Sequence, residues 1–203
     1  MIEDFGPKVV SIWNDLRSTT RSLVERAWKS ANASSPNQAV RQSPYDPKAD
    51  HELSRLLAAL DARAGESRET SEDEPTQRAR HLADTCAAVL MQQTQSAEVF
   101  AQLIQRAHKR KDYKRIDELA NILPNRLPPS ELCELARSNN VVVRALAQEA
   151  LVLMPPRLLA ALLRDPIDSA VARMALERQS QEYLSEEAQK ILRDLEDSVL
   201  EGF

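Results

Sequence analysis

The feature that most constrains the fold is a helical pattern that occurs twice between Glu131 and Gln179. Each occurrence has an apolar helical segment, a polar break and a second segment rich in small residues. The breaks are Asn139-Asn140 and Asp165-Pro166, and a shift of 28 positions aligns Val143 with Val171. Short amphipathic helices cannot bury their apolar faces alone, so they need neighbours on both sides. The pattern therefore predicts stacked antiparallel helical hairpins.

The composition of the 203-residue chain favours an all-α fold. Hydrophobic residues make up 42% of the sequence, enough for a sizeable core, while aromatic residues make up only 4%. There are three glycines, and the eleven prolines stand mostly between apolar-periodic segments. Helices tolerate few glycines and end near prolines, so this usage is typical of a helical protein.

The segment from Leu135 to Leu151 resembles the second half of a HEAT-type repeat. Asn139-Asn140 supply the polar break of that family, and Val143-Arg144 supply its Val-Arg pair. The next unit has Val171-Ala172 at the equivalent place. The resemblance covers about residues 96–199. It implies an α-solenoid or an irregular helical-repeat bundle that binds proteins, and it carries over no catalytic residue.

The N-terminal part is predicted to stand apart from the repeats. Residues 1–30 form an amphipathic helical arm whose helix runs from about Pro7 to Ser30, and residues 31–46 form a flexible linker rich in Pro, Ser and Asn. Residues 47–203 form the all-helical domain. Trp13 and Trp28 are candidates for docking on a partner, on a second copy of the chain as a homodimer, or on the chain's own domain. These alternatives remain open.

The strongest local charge is a basic corner, residues 106–115. It contains six cations and one acid, Asp112; the cations are Arg106, Lys109, Arg110, Lys111, Lys114 and Arg115. Such a corner can grip phosphate or an acidic partner. Cations at the end of a helix also favour its dipole, and exposed turns are commonly charged, so a solvated turn is the simpler interpretation of the corner. Tyr113, three residues before Ile116, is expected in the core.

Motifs for catalysis and for metal binding are not found. The glycines Gly6, Gly65 and Gly202 are too isolated to form a phosphate-binding loop. Cys86 and Cys133 are far apart and lie in apolar helical patterns, so a metal site is not expected. Neither an enzymatic activity nor a cofactor is predicted.

The charge and hydropathy of the chain bear on its location. The net charge of −4 lowers the expectation of a dedicated nucleic-acid binder. The chain begins with acidic residues where a signal peptide would be basic, and no apolar run approaches the ~20 residues of a membrane span. We therefore expect a cytoplasmic protein without a membrane span.

These observations predict a non-enzymatic scaffold or protein-protein interaction module. Its surface is expected on the second helices of the hairpins, around Arg144 and Arg173, with the basic corner beside it. The partner is predicted to be another protein. Nucleic-acid binding through the basic corner is the alternative.

Overall fold

The computed structural model describes residues 2–32, 45–66 and 74–200, and these residues form an all-α fold. They contain eleven α-helices and no strand. The all-α prediction is therefore confirmed. The helices are α1 (Pro7–Asp15), α2 (Ser18–Asn32), α3 (Pro47–Glu66), α4 (Glu74–Gln93), α5 (Ala97–Arg110), α6 (Tyr113–Arg126), α7 (Pro129–Ala136), α8 (Val141–Val152), α9 (Pro156–Ala160), α10 (Ser169–Glu182) and α11 (Glu186–Leu200).

The helices divide into two compact units, Met1–Gln95 and Ser96–Phe203. Unit 1 is built on α3 and α4, which pack against each other along their lengths. Helix α1 packs on α3, and α2 packs on α4. Four leucines of α3 are fully buried at this centre: Leu53, Leu56, Leu57 and Leu60. The N-terminal helices therefore complete the core of unit 1.

The predicted helix from Pro7 to Ser30 is interrupted near its middle. Leu16 adopts an extended conformation between α1 and α2, and its side chain is buried. The Arg21 guanidinium donates to the carbonyls of Leu16 (3.0 Å) and Asn14 (3.0 Å) and so satisfies the end of α1. Val9 of α1 and Val24 of α2 lie on either side of this break, and both are buried in the core of unit 1.

The division into units differs from the predicted arm, linker and domain. Residues 1–30 belong to the same compact unit as α3 and α4, and Phe5, Val9 and Leu16 are buried there. An arm with one apolar stripe needs a surface that covers the stripe, and α3 and α4 provide it. Most of the predicted linker, residues 33–44, lies outside the described residues.

Unit 2 is a stack of helical hairpins. Helices α5 and α6 form the first, α7 and α8 the second, and α9 with α10 the third, with α11 packed against α9 and α10. Helix α5 also packs on α7, α6 on α8, and α8 on α10, so each hairpin contacts the next. Side chains from all three hairpins fill the core, including Phe100, Ile104, Leu119, Leu132, Leu151, Leu159 and Leu176.

Polar side chains set the starts of several helices in unit 2. The Asn140 carboxamide accepts from the backbone N–H groups of Val142 (3.0 Å) and Val143 (3.1 Å), as an N-cap does. Ser96 and Asp112 cap α5 and α6 in the same way. Pro124, expected to end a helix, lies inside α6, which continues to Arg126.

Polar contacts also join one hairpin to the next. The Glu131 carboxylate of α7 accepts from the backbone N–H of Ala97 at the start of α5 (2.8 Å). The buried Gln179 amide of α10 donates to the carbonyls of Val152 (2.9 Å) and Met154 (2.6 Å) at the end of α8. These bonds satisfy helix-end groups that have no partner within their own helix. These bonds therefore set the register between successive hairpins.

Candidate binding surface

The basic corner is the turn between α5 and α6. Helix α5 ends at Lys111, whose backbone is left-handed (φ 57°), and the N–H groups of Lys111 and Asp112 donate to His108 and Ala107 (3.0 Å each). The Asp112 carboxylate then accepts from the backbone N–H of Arg115 (3.1 Å) and starts α6. Every residue from 108 to 115 is exposed. The corner therefore presents its charged side chains to solvent.

Three lysines of the basic corner are available to a partner. Lys109, Lys111 and Lys114 are exposed and form no salt bridge within the part of the chain that the structure describes. Arg115 pairs with Glu118 at 3.0 Å, and Arg106 is half-buried. The corner's one acid, Asp112, is already engaged as the cap of α6. The excess positive charge therefore belongs mainly to the three lysines.

Tyr113 lies on the surface, which corrects the expectation that it is a core residue. It is the first residue of α6, and 65% of its surface is exposed. A side chain in the first turn need not lie against the neighbouring helix, even when its spacing fits the apolar stripe. Val141, the first residue of α8, stands 28 positions later and is 66% exposed. Ile167, just before α10, is 67% exposed.

Tyr113, Val141 and Ile167 define what we call the turn edge of unit 2. All three lie at the turns between the first and second helices of successive hairpins. The Arg137 guanidinium donates to the Ile167 carbonyl (3.4 Å) and pairs with Asp168, which joins the second turn to the third. The first turn follows on the second because α6 packs on α8. The turn edge is thus a row of exposed apolar side chains with the basic corner at one end.

The two arginines predicted at the surface of the second helices are engaged within the chain. Arg144 is half-buried, and its guanidinium donates to the Ser138 carbonyl (2.8 Å) in the turn before α8. Arg173 is exposed and pairs with Glu177 one turn along α10 (3.2 Å). Arg144 therefore holds the shape of the second turn. A role for Arg173 in binding stays a prediction.

The two tryptophans lie in unit 1. Both are half-buried, and the Trp28 ring meets the His81 ring of α4 edge to face, with 4.7 Å between ring centroids. Trp28 thus packs against its own unit, one of the three predicted alternatives. Docking of Trp13 on a partner or on a second copy stays a prediction.

Other groups that could support chemistry are buried or dispersed. Burial raises the pKa of the Cys133 thiol to about 11, so the thiol stays protonated and unreactive at neutral pH. The described residues contain no cluster of three or more His, Cys, Asp or Glu side chains that could hold a metal ion. In unit 1, a cleft of about 450 Å³ is lined by polar side chains that include Ser18, Thr20 and Gln93.

Comparisons of the chain with protein-family models, curated proteins and solved structures find no match. Within the described ranges, no single helix is both long and apolar enough to cross a membrane. The helix Val141–Val152 and the segment Pro156–Arg164 pass that test only as a pair, and they are bent by 113°. In unit 2 these segments belong to successive hairpins.

Proposed function

We propose that this chain is a non-enzymatic protein-protein interaction or scaffold module and that unit 2 presents the binding surface at its turn edge. The observation that carries this proposal is the row of three large apolar side chains, each about two-thirds exposed, at three successive hairpin turns. Single exposed apolar residues are common on protein surfaces. A row beside uncompensated charge is the arrangement that marks interaction sites.

The distribution of exposed apolar residues supports the choice of unit 2. Among the described residues, all large hydrophobic side chains classed as exposed belong to this unit; they are Tyr113, Val141, Leu153, Leu158, Ile167, Met174, Tyr183 and Leu184. In unit 1, Phe5 and the leucines of α3 are fully buried, and the two tryptophans are half-buried. Burial of such residues against a partner would release water from apolar surface.

The hairpin stack supports a HEAT-like mode of action as part of the same proposal. A stack grows in one direction and repeats equivalent positions along its edge, so it offers an extended surface instead of a pocket. In this proposal, Arg144 and the caps keep the turns in register, and the exposed residues between them contact the partner. The partner is another protein.

Site-specific photocrosslinking in cells that make the protein tests this function. A photoreactive amino acid placed at Val141 should give a light-dependent adduct with another protein. The same amino acid at Arg55, an exposed position of α3 in unit 1, is the matched control. Adducts of equal yield at both positions, or none at Val141, would remove the proposal.

Nucleic-acid binding through the basic corner is the second candidate, and the exposure of Tyr113 favours it. An exposed aromatic ring beside Lys109, Lys111 and Lys114 can stack on a base while the lysines contact phosphates. The test is a salt titration of binding to single-stranded and duplex DNA. Changing the three lysines to Ala should make the negative slope of log K against log salt shallower by about 2–3. No binding at low salt would eliminate this candidate.

A further inference from the structure

We infer that the turn edge binds an extended segment of the partner protein that has acidic residues at one end, followed by apolar residues at about every third position. This inference rests on the proposed function and specifies the partner's chemistry.

Charge complementarity selects acidic residues for one end of the segment. Lys109, Lys111 and Lys114 are exposed and form no salt bridge within the described residues. At the opposite end of the turn edge, the Asp165 carboxylate already accepts from the N–H groups of Ile167 (2.8 Å) and Asp168 (3.0 Å). Positive charge is therefore concentrated beside Tyr113, whereas near Ile167 the carboxylates of Asp165 and Asp168 are balanced by Arg137 and the exposed Arg164. A segment that matches this distribution of charge is acidic only where it meets the corner.

The packing of the hairpins sets the spacing of the apolar residues. Tyr113 and Val141 start two helices, α6 and α8, that pack side by side. Packed helices lie roughly 8–10 Å apart, and an extended chain in the polyproline II conformation advances about 3.1 Å per residue, with every third side chain on the same face. About three residues of an extended segment therefore separate one apolar contact from the next. Ile167, at the following turn, continues the row.

The chemistry of the turn edge favours a peptide over a nucleic acid. Sequence-tolerant binding of single strands uses several aromatic rings on which successive bases stack. Tyr113 is the only aromatic side chain of the turn edge, and Val141 and Ile167 are aliphatic. Aliphatic side chains instead gain from contact with apolar side chains of a partner.

Selection from a bead-displayed library of random peptides tests the inference. The peptides need about twelve residues to span the row when extended. The full chain should enrich sequences with an acidic cluster at one end and apolar residues about three positions apart. The charge-reversed variant K109E/K111E/K114E should bind these peptides at least tenfold more weakly, since three complementary charges become repulsive.

A matched variant separates local charge from net charge. K8E/K29E/K48E reverses three exposed lysines of unit 1 and changes the total charge by the same amount. It should retain the peptides, and both variants should keep the wild-type circular dichroism spectrum. Equal loss of binding in both variants would overturn the inference, because the effect would then follow net charge alone.

Other outcomes also overturn the inference, and one of them leaves the proposed function standing. Enriched peptides without acidic residues, or peptides that bind K109E/K111E/K114E as well as wild type, would contradict it. So would failure to enrich any peptide, or single-stranded DNA that displaces the peptides and binds more tightly. A Val141 photoadduct obtained together with non-acidic peptides would contradict only the inference that the partner segment is acidic. Absence of the photoadduct would contradict the proposed function itself.

Discussion

Units 1 and 2 are both helical, but they differ in which polar side chains are buried and which apolar side chains are exposed. In unit 1, the described residues include five buried polar or charged side chains, Thr20, Asp50, Thr76, Thr85 and Thr94. In unit 2, buried polar side chains are Asp168 and Gln179, and each bonds to a neighbouring hairpin. Unit 2 also has all the exposed large apolar residues of the described chain.

The two units therefore use polar side chains at different places in their structures. Asp50 illustrates the buried polar groups of unit 1. Burial raises the pKa of its carboxyl, and hydrogen bonds with Thr94 and Tyr45 oppose that rise. Unit 2 uses its polar side chains to cap helices and to join turns, which leaves apolar residues on the turn edge. The exposed apolar side chains of unit 2 are the reason that the proposed binding surface lies in this unit.

The largest expected effect is on the core of unit 1. Leu57→Ala removes a fully buried side chain of α3 and leaves a cavity, so the free energy of unfolding should fall by about 2–5 kcal/mol. Ile167→Ala on the turn edge should change it by less than about 0.5 kcal/mol, because the side chain is mostly in solvent. Urea unfolding of the two variants measures both values. Similar losses would show that Ile167 is part of the core.

A smaller effect is expected from the contact between the second and third turns. Asp168→Ala removes the buried carboxylate that pairs with Arg137. The free energy of unfolding should therefore fall by about 1–3 kcal/mol. The control is Glu177→Ala, which breaks the exposed pair with Arg173 and should cost about 0.5 kcal/mol or less. Chemical denaturation gives both values. The joining role of Arg137 would be refuted if the two losses were equal.

The backbone of the basic corner predicts a gain in stability. Lys111 has a left-handed conformation that costs a side-chain-bearing residue about 1–2 kcal/mol, while Gly adds entropy to the unfolded chain. Lys111→Gly should therefore raise the free energy of unfolding by about 0.5 kcal/mol. Leu184, also left-handed, provides a second site for the same substitution. Thermal unfolding measures the change, and a loss at both positions would contradict the assigned conformations.

The smallest expected effect is a change in pH dependence caused by Asp50. A carboxyl whose pKa is raised in the folded protein holds its proton longer there than in the unfolded chain. Its contribution to stability is therefore present below the unfolded pKa of about 3.9 and is lost as pH rises through the folded pKa. As pH rises through that range, the free energy of unfolding of the wild type should fall relative to that of Asp50→Asn. Denaturation at several pH values measures it, and a shift in the opposite direction would refute the burial effect.

Much of the fold could be predicted from the sequence because helix signals are local. Proline, the cap residues and the apolar spacing predicted the all-α class, and Asn139-Asn140 marked the turn before α8. The interruption at Leu16 was missed because it follows from packing against α3 and α4, which no local pattern encodes. Pro124 shows that a proline does not fix the end of a helix, because α6 continues two residues beyond it to Arg126.

The candidate surface was predicted less completely. The basic corner was recognised from its charges, but the partners of Arg144 and Arg173 depend on positions known only in three dimensions. Tyr113 was expected in the core because its spacing to Ile116 fits a helical stripe. The 28-residue offset pairs Tyr113 with Val141 and so marks Tyr113 as the start of a second helix, but it does not show that either side chain is exposed.

The triple variant Y113S/V141S/I167S removes the three exposed apolar side chains of the turn edge, where unit 2 is proposed to bind its partner. We expect the partner protein crosslinked by the wild-type chain to bind this variant about tenfold more weakly, because the apolar contacts are lost, while the melting temperature stays unchanged. Binding as tight as that of the wild type, or weaker binding together with a lower melting temperature, would show that the turn edge is not the binding surface.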